Sequence, residues 1–417
     1  MKQKESRKGG TMTKEKSTVP RLRFPGFTTT WKQRKLGEEI SFYNGRAYKQ
    51  SELLDVGKYK VVRVGNFNTN EKWYYSNLEL EDSKTIDTGD LIYLWATSFG
   101  PEIWKGAKSI YHYHIWKLII KQVEKIDKNY LYTWLYQDKE KIAQNTNGST
   151  MVHITKKMIE NRDFEFPTLP EQEAIGSFFS DLDQLITLHQ RKLDDVKELK
   201  KALLQKMFPK GNGNDFPELR FPEFTDAWKQ RKFSDLAEVR RGLTYSPSAI
   251  RNHGVRVLRS SNINEDTFVF GEDDVFVDKS VVKIPLVEEG DILITSANGS
   301  SRLVGKHSII KGLPSNSAIH GGFMLLASSK VPCFLNAFMS STWYHKFIGL
   351  YVAGGNGAIG NLNKSDLDEQ IVLVPTLPEQ EAIGSFFSDL DQLITLHQRQ
   401  LDHLKLLKKA LLQQMFI

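Results

Sequence analysis

The feature that most constrains this chain is a long internal repeat. Residues 167–191, PTLPEQEAIGSFFSDLDQLITLHQR, recur without a single change as residues 375–399. Thr168 and Glu171 have the Ser/Thr-x-x-Glu spacing of a helix capping box, and Pro170 suits the first turn of a helix. The repeat therefore predicts two long helices that begin with the same signals.

Both predicted helices carry apolar residues at alternating spacings of three and four, which is the heptad pattern of a coiled coil. His189, Lys200, His397 and Lys408 fill the polar positions of this pattern, where we expect them to fix the register rather than to bind a metal. The apolar seam positions are Ile175, Phe179, Leu182, Ile186, Leu193, Val196, Leu203, Ile383, Phe387, Leu390, Ile394, Leu401, Leu404 and Leu411.

The two apolar stripes bury most simply against each other. A helix over residues 170–208 is roughly 58 Å long at 1.5 Å per residue. We therefore expect an intramolecular antiparallel coiled coil with pseudo-twofold symmetry, which serves as a rigid spacer and presents two equivalent docking surfaces.

A second repeat divides the rest of the chain. LRFPGF at 22–27 and WKQRK at 31–35 return as LRFPEF at 219–224 and WKQRK at 228–232. The basic WKQRK segments are open to two interpretations, phosphate contact or a solvated surface. The predicted divisions are a disordered basic tail (1–19), a first variable region (20–166), a first long helix (167–209), a Gly/Asn linker (210–216), a second variable region (217–374) and a second long helix (375–417).

The two variable regions are weakly similar to each other in sequence pattern. Residues 59–64 and 255–259 alternate like strands, and Gly89 and Gly290 each begin a turn into a buried strand. Thr155 and Asn363 are N-cap candidates for a short helix just before each long one. Each region is predicted to be a mixed α/β globule.

Composition limits the classes of function. The net charge of +7 favours a polyanionic partner. Cys333 is the single cysteine, which excludes an internal disulfide or a cysteine metal cluster and fits a reducing cytoplasm. No apolar run has the length of a membrane span, and the basic first residues do not resemble a signal peptide. We therefore expect a cytoplasmic protein without a membrane partner.

Two patterns invite a catalytic interpretation. The G-x-G-x-x-G match at 355–360 does not follow a predicted strand, so a loop is favoured over a cofactor site. Asp195, Glu198 and Lys200 imitate a nuclease pattern, but they lie on the spacer helix, where such charges are ordinary solvated neighbours. We predict no catalytic residue and no metal site.

The duplicated P-x-L-P-E-Q-E helix starts at Pro167 and Pro375 and the LRFP anchors at Leu22 and Leu219 resemble the specificity subunit of type I restriction-modification enzymes. The resemblance covers essentially everything after the tail. It implies an α+β (mixed) fold with two α/β target-recognition domains in tandem, each followed by a long helix of the coiled coil.

The resemblance also implies a function and partners. Each domain would read one half of a bipartite site in double-stranded DNA, in a non-catalytic subunit that holds two methyltransferase (modification) and two motor-endonuclease (restriction) subunits. It implies no cofactor in this chain, with S-adenosylmethionine, ATP and Mg²⁺ belonging to the partner subunits. The alternative is a coiled-coil scaffold that holds two protein partners without reading DNA.

Candidate DNA contacts are basic, amide and hydroxyl residues of predicted loops, because arginine suits guanine and asparagine suits adenine. In the first region they are Arg46, Tyr48, Lys49, Arg63, Asn66, Asn68, Ser98, Asn147, Ser149 and Thr150. In the second region they are Arg240, Arg241, Thr244, Tyr245, Arg259, Ser260, Asn262, Asn264, Asn298, Arg302, Asn356 and Asn361. Any single member can equally be a solvated loop residue or a structural cap.

Overall fold

The computed structural model describes residues 19–68, 70–96, 99–145, 154–210, 215–352 and 361–416. The chain divides into two units, Met1–His189 with Gln400–Ile417 (unit 1) and Gln190–Arg399 (unit 2). Each unit therefore contains one variable region, the N-terminal half of one long helix and the C-terminal half of the other. No helix in the described part of the chain has the length and apolarity that crossing a membrane requires.

The described residues of unit 1 form ten strands and three short or medium helices, together with the start of the first long helix and the end of the second. Its strands are β1 (Lys32–Lys35), β2 (Ile40–Asn44), β3 (Tyr59–Val62), β4 (Tyr74–Ser76), β5 (Thr85–Ile86), β6 (Leu91–Leu94), β7 (Gly100–Ile103), β8 (Ser109–Tyr111), β9 (Ile115–Ile120) and β10 (Asp163–Phe166). Its helices are α1 (Leu36–Glu39), α2 (Lys128–Asn145), α3 (Lys156–Glu160) and the long α4 (Leu169–Lys206).

Unit 2 repeats this plan with further short elements. Its strands are β11 (Lys229–Lys232), β12 (Glu238–Arg241), β13 (Ile250–Arg251), β14 (Val255–Leu258), β15 (Ile263–Asn264), β16 (Thr267–Phe268), β17 (Val275–Val277), β18 (Ile292–Thr295), β19 (His307–Ile309), β20 (Ala318–His320), β21 (Met324–Ser328) and β22 (Ile371–Val374). Its helices are α5 (Pro332–Met339), α6 (Thr342–Val352), α7 (Lys364–Asp368) and the long α8 (Leu377–Met415).

Each unit contains two four-stranded sheets, of which the first have matching strand orders and the second share three strands, β4-β3-β8 and β17-β14-β20. In unit 1 the orders are β2-β9-β6-β7 and β4-β3-β8-β5, and in unit 2 they are β12-β21-β18-β19 and β13-β17-β14-β20. The second sheet of each unit has one parallel pair, β3 with β8 and β14 with β20. The predicted fold class, tandem mixed α/β regions each followed by a long helix, is confirmed.

The turns that lead into the buried strands β6 and β18 use glycine as predicted. Gly89 and Gly290 have φ angles of 90° and 93°, a left-handed conformation that residues with a Cβ rarely adopt. All four residues of each following strand are buried. Thr155 caps α3 by accepting from the Met158 N–H. Asn363 occupies the matching position before α7, but its side chain donates to Asp366 instead of capping the backbone.

The long helices pair in antiparallel fashion within each unit. In unit 1, Phe179 and Leu182 near the start of α4 share a core with Leu412 and Phe416 at the end of α8. In unit 2, Phe387 near the start of α8 packs on Phe208, which follows α4, with ring centroids 5.9 Å apart. Every predicted seam residue is buried or half-buried. Such contacts place the start of one helix beside the end of the other.

Two matching ion pairs lie beside the seam. Lys408 donates to Asp183 in unit 1, and Lys200 donates to Asp391 in unit 2, with an N–O distance of 2.6 Å in both. Both lysines are mostly buried, at 13% and 15% side-chain exposure. An ion pair of this kind favours one register of the two helices.

The duplicated anchors dock on the duplicated helix starts. Arg23 forms a bidentate ion pair with Glu171, and Arg220 forms the same pair with Glu379. Glu171 is fully buried, and its carboxylate binds Arg23 where the sequence predicted a capping-box bond. The WKQRK segments supply β1 and β11, which pair with β10 and β22, the strands just before the long helices. This docking explains why anchor and helix start recur together.

Candidate nucleic-acid interface

The loops that follow matching strands come together in each unit. After β2 and β12 the chain forms a parallel bridge with the loop after β8 or β20, Arg46 with His112 in unit 1 and Leu243 with Gly321 in unit 2. At Gly242, just before this bridge, an added Cβ would lie only 1.9 Å from the Gly321 carbonyl oxygen. Glycine is therefore required there for the two loops to approach so closely.

An arginine and an asparagine hold the next loop in the same way in both units. The Asn66 Oδ1 accepts from the Arg63 N–H at 3.1 Å, and the Asn262 Oδ1 accepts from the Arg259 N–H at 2.8 Å. Asn262 is completely buried, and its amide also donates to Val269 O and Asp274 Oδ1. The prediction that Asn262 contacts DNA is therefore wrong, because its polar atoms already bind the loop. Asn66 has the same structural role but is half-buried.

In unit 2 these loops enclose an open cleft of about 620 Å³. We call it the unit 2 cleft, and five predicted contacts line it: Thr244, Tyr245, Arg259, Ser260 and Asn298. The Asn298 amide donates to the Ser260 hydroxyl at 3.1 Å, so two of the loops are joined by side chains. The other lining residues include Leu243, Ser261, Asp273, Ala297, Gly321, Gly322 and Phe323.

Two cleft residues were missed from the sequence. Phe323 is 74% exposed at the turn after β20, an unusual exposure for a phenylalanine. Asp273 lies in the cleft beside Arg259, with the Arg259 Nη2 and the Asp273 Oδ2 3.2 Å apart. The predicted contacts are basic, amide and hydroxyl residues, so an acidic and an apolar residue fall outside them.

The matching loops of unit 1 carry an aromatic cluster where unit 2 has Gly321 and Gly322. We call the surface formed by Tyr48, Trp95, His112 and His114 the unit 1 loop surface. His112 stacks on Tyr48 and lies 4.9 Å from His114 between ring centroids. Trp95 packs on His114 with the centroids 4.8 Å apart. Burial, the neighbouring His114 and Arg63 lower the pKa of His112 to about 4. This imidazole is therefore neutral at physiological pH.

Tyr48 is the predicted contact that joins this cluster most directly. Its hydroxyl donates to the Tyr111 carbonyl oxygen at 3.3 Å, and the Arg46 guanidinium lies over its ring. Burial raises the pKa of Tyr48 well above its ordinary value, so the hydroxyl stays protonated and acts as a donor. Arg63 lies over the Tyr74 ring at 4.4 Å and is half-buried.

A family model described as the type I restriction modification DNA specificity domain matches the chain twice, over residues 28–198 and 225–406. The chain belongs to this type I DNA specificity family. As a member it is a non-catalytic subunit that recognises DNA. In the described residues no group of three or more His, Cys, Asp or Glu side chains is placed to hold a metal ion.

Individual relatives of the family cover most of the chain. The MjaVIII specificity subunit of Methanocaldococcus jannaschii is 23% identical over 414 residues, which cover 89% of this chain and 96% of that protein. The EcoBI specificity subunit of Escherichia coli is 22% identical over 392 residues, covering 85% and 78%. Both proteins are specificity subunits of type I restriction enzymes.

Solved structures of the family share the fold. The S subunit of the type I restriction-modification system of M. genitalium superposes with a TM-score of 0.64 at 15% identity, covering 96% of this chain and 99% of that one. A chain from a structure on complex assembly of a type I system gives a TM-score of 0.50 at 14% identity, covering 94% and 98%.

Two arginines predicted to read DNA in this specificity-family chain are instead tied to carboxylates. Arg46 donates to both carboxylate oxygens of Glu52, at 2.9 and 3.1 Å. Arg240 donates to Asp291 at 3.2 Å and to Ser328, and its side chain is only 20% exposed. Arg240 lies on β12, the edge strand of the β12-β21-β18-β19 sheet, and its contact with DNA stays a prediction. Arg46 remains one-third exposed and forms the edge of the unit 1 loop surface.

The remaining candidates are scattered. Two of them, Lys49 and Asn68, are exposed in unit 1. Arg241 and Asn264 are exposed in unit 2 but do not line its cleft. Asn361 forms a β-bridge with Ala297 at the edge of that cleft. Arg302 lines a different groove, between the variable region and the helices of unit 2. The other predicted contacts lie outside the described residues: Ser98, Asn147, Ser149, Thr150 and Asn356. The glycine-rich match at 355–360 also lies outside them.

Proposed function

We propose that this chain reads a bipartite DNA target, with one half-site bound by the unit 1 loop surface and the other by the unit 2 cleft. The observation that carries the proposal is a shared framework with different side chains. The Arg63–Asn66 and Arg259–Asn262 bonds are the same, whereas His112 and Tyr113 of one unit replace Gly321 and Gly322 of the other. Two modules of this kind suit two different half-sites.

The chemistry of the exposed groups supports base reading. In the unit 2 cleft, Arg259 offers a donor fork for guanine, and Asn298 combines a donor with an acceptor. Phe323 offers an apolar surface suited to a thymine methyl group. The unit 1 loop surface offers histidine and tyrosine rings instead. Because direct readout depends on such groups, the two half-sites are expected to differ in sequence.

The identical helix halves support a scaffold for two copies of one partner. Packing within the chain explains identity at inward positions such as Phe179 and Phe387. It does not explain identity at Leu188 and Leu396, which are 47% and 50% exposed. We propose that these outward leucines, with Leu185 and Leu393, dock two methyltransferase (modification) subunits. Two motor-endonuclease subunits would complete the enzyme, with S-adenosylmethionine, ATP and Mg²⁺ bound by the partners.

A domain exchange tests the bipartite reading. Residues 35–165 are replaced by the matching region of a relative with known specificity, and methylated adenines are mapped in cells that also produce the modification subunit. The first half of the motif should change, while the second half and the gap between the halves should stay the same. A motif altered in both halves would show that the two units read DNA together and would overturn the proposal.

DNA binding itself is tested separately against the scaffold-only alternative. The complex with the modification subunit should shift a target duplex with an affinity that falls steeply as salt rises, because phosphate contacts release counterions. If the unaltered chain binds the modification subunit but shows no preference for a target sequence, the scaffold that does not read DNA is favoured.

The docking of the modification subunits is tested by a double variant. A Leu188→Asp, Leu396→Asp chain should fold normally yet lose the modification subunit.

A further inference from the structure

One position of the shared framework reverses its charge between the units. The Arg63 Nη2 donates to the Lys72 carbonyl oxygen at 3.1 Å, and the Arg259 Nη2 donates to the Asp273 carbonyl oxygen at 2.6 Å. Lys72 and Asp273 are therefore equivalent positions. The Lys72 ammonium lies over the Tyr74 ring at 5.0 Å, whereas the Asp273 carboxylate reaches the Arg259 guanidinium.

The Asp273 carboxylate is not needed to hold Arg259. The backbone carbonyl of Asp273 already binds the guanidinium at the shorter distance, 2.6 Å against 3.2 Å for the carboxylate. The carboxylate is 75% exposed, so the surrounding fold does not require its charge. A carboxylate in a DNA-facing cleft also repels phosphates. An aspartate at this place therefore needs a function of its own.

We propose that Arg259 and Asp273 read one G·C base pair together, in the half-site bound by the unit 2 cleft. This inference rests on the proposed function. On DNA the Asp273 carboxylate releases the Arg259 Nη2 and accepts from the cytosine N4 amine in the major groove, while Arg259 donates to guanine N7 and O6 through Nη1 and the freed hydrogen of Nη2. Guanine O6 and cytosine N4 bond to each other across the pair, so they lie roughly 3 Å apart. The Arg259 Nη2 and the Asp273 Oδ2 show a similar separation, 3.2 Å.

Arg259 and Asp273 together discriminate against an A·T base pair because fewer of its groups match their hydrogen-bonding atoms. A G·C pair offers two acceptors to Arg259 and one donor to Asp273. An A·T pair offers one suitable acceptor, thymine O4, beside the adenine N6 donor, while adenine N7 lies on the far side of that donor. The structure places no carboxylate at the equivalent position of unit 1, where Lys72 can only donate. We expect no matching acceptor contact from position 72 in the first half-site.

The test measures sequence preference in the assembled methyltransferase. The full chain and its modification subunit are supplied with a library of targets randomised in both half-sites, and the methylated molecules are sequenced. The unaltered chain should require G·C at one position of the second half-site. Asp273→Ala should lower that preference about tenfold, leave the neighbouring positions intact and leave the first half-site unchanged. The matched variant Lys72→Ala should affect only the first half-site or the overall affinity.

Each outcome has one meaning. If the unaltered chain selects no motif, the proposed function fails. If it selects a motif but Asp273→Ala keeps every base preference at an unchanged melting temperature, the reading by Asp273 is wrong. If Asp273→Ala does not fold, Asp273→Lys decides, because lysine is the residue at the equivalent position of unit 1 and can only donate. Asp273→Lys should then lower the preference for G·C at the same position, and an unchanged preference would overturn the inference.

Discussion

The contact between each anchor and the start of its long helix, which we call the joint, contains the same arginine–glutamate pair in unit 1 and in unit 2, whereas the loops of the two units share only their backbone framework. The ion pairs of the two joints differ in length by only 0.1 Å, with N–O distances of 2.6 Å for Arg23–Glu171 and 2.7 Å for Arg220–Glu379. At the equivalent loop positions, however, Lys72 and Asp273 have opposite charges. The sequence is thus repeated at the joints, where the chain packs on its own helices, and it varies at the loop positions that Lys72 and Asp273 occupy.

The largest effect is expected from a charge placed in the shared helix packing. Leu182 is 8% exposed in the core of unit 1, so Leu182→Asp buries an unpaired carboxylate and removes apolar contacts. We expect a loss of about 5 kcal/mol in the free energy of unfolding, measured by urea denaturation. The complex with the modification subunit should not assemble.

The matched control for this change is Leu199→Asp. Leu199 lies on the same helix but is 50% exposed, so its replacement should change the unfolding free energy by less than about 0.5 kcal/mol. Equal losses from the two variants would show that the helices are not packed along the predicted seam.

The next effect tests whether the two joints are energetically alike. Arg23→Ala leaves the buried Glu171 carboxylate without its bidentate partner, and Arg220→Ala does the same to Glu379. Removing one member of a buried pair costs about 3–5 kcal/mol. Because the arginine contacts match, the two variants should lose similar amounts in thermal and urea unfolding, with the smaller loss for Arg220→Ala, since Glu379 keeps a hydrogen bond from the Trp228 indole N–H. A large loss at one joint and none at the other would contradict the equivalence that we infer.

The joints also show what sequence reasoning reaches. Heptad periodicity predicted the helix pairing, because an apolar residue that recurs every three or four positions must face one side of a helix. The Ser/Thr-x-x-Glu spacing predicted a capping box between Thr168 and Glu171, but the Glu171 carboxylate binds Arg23, 148 residues away. The same spacing is compatible with either contact. No local pattern distinguishes the two.

The loops were predicted less well for a similar reason. An asparagine in a loop is suited both to reading adenine and to holding its own backbone, and Asn262 holds its backbone. The charge of Arg240 suits DNA, but its partner Asp291 lies just before β18, two strands away in the same sheet. Asp273 became a candidate only when the fold placed it beside Arg259. Side-chain type alone does not determine which groups remain free after the loops close.

A smaller, pH-dependent effect is expected in unit 2. Burial lowers the pKa of His320 to about 4, and the neutral ring donates to the Arg240 carbonyl oxygen. The unfolded state takes up the proton first, so the stabilisation is present above about pH 6.5 and is lost as the pH falls toward 4. The fully developed loss is roughly 3 kcal/mol.

His320→Gln should flatten this dependence. Glutamine keeps a donor for Arg240 and does not titrate, so urea unfolding between pH 7 and pH 4.5 should have a shallower slope than in the unaltered chain. The matching residue of unit 1 is Tyr111, whose pKa is raised by burial and which does not titrate in acid. An identical slope in both chains would mean that His320 already carries a proton or is solvated in the folded state.

The smallest effect compares the two lysines beside the seam. Lys408 and Lys200 each bind an aspartate at 2.6 Å, but the Lys408 ammonium also lies 4.3 Å from the centroid of the Tyr136 ring. Lys200→Met removes a half-buried ion pair, which costs about 1 kcal/mol. Lys408→Met should cost about 0.5–1 kcal/mol more, because it also removes a cation–π contact.

A double-mutant cycle isolates that difference. Tyr136→Leu in the unaltered chain and in Lys408→Met gives the coupling between the ring and the ammonium, measured as free energies of urea unfolding. A coupling of about 0.5 kcal/mol or more is expected for Lys408, and none for Lys200, which lies in the other unit. Equal costs for the two lysines would mean that the ring contributes nothing. The two ion pairs would then be as alike in energy as the two arginine joints, and the difference between the units would lie in the loops alone.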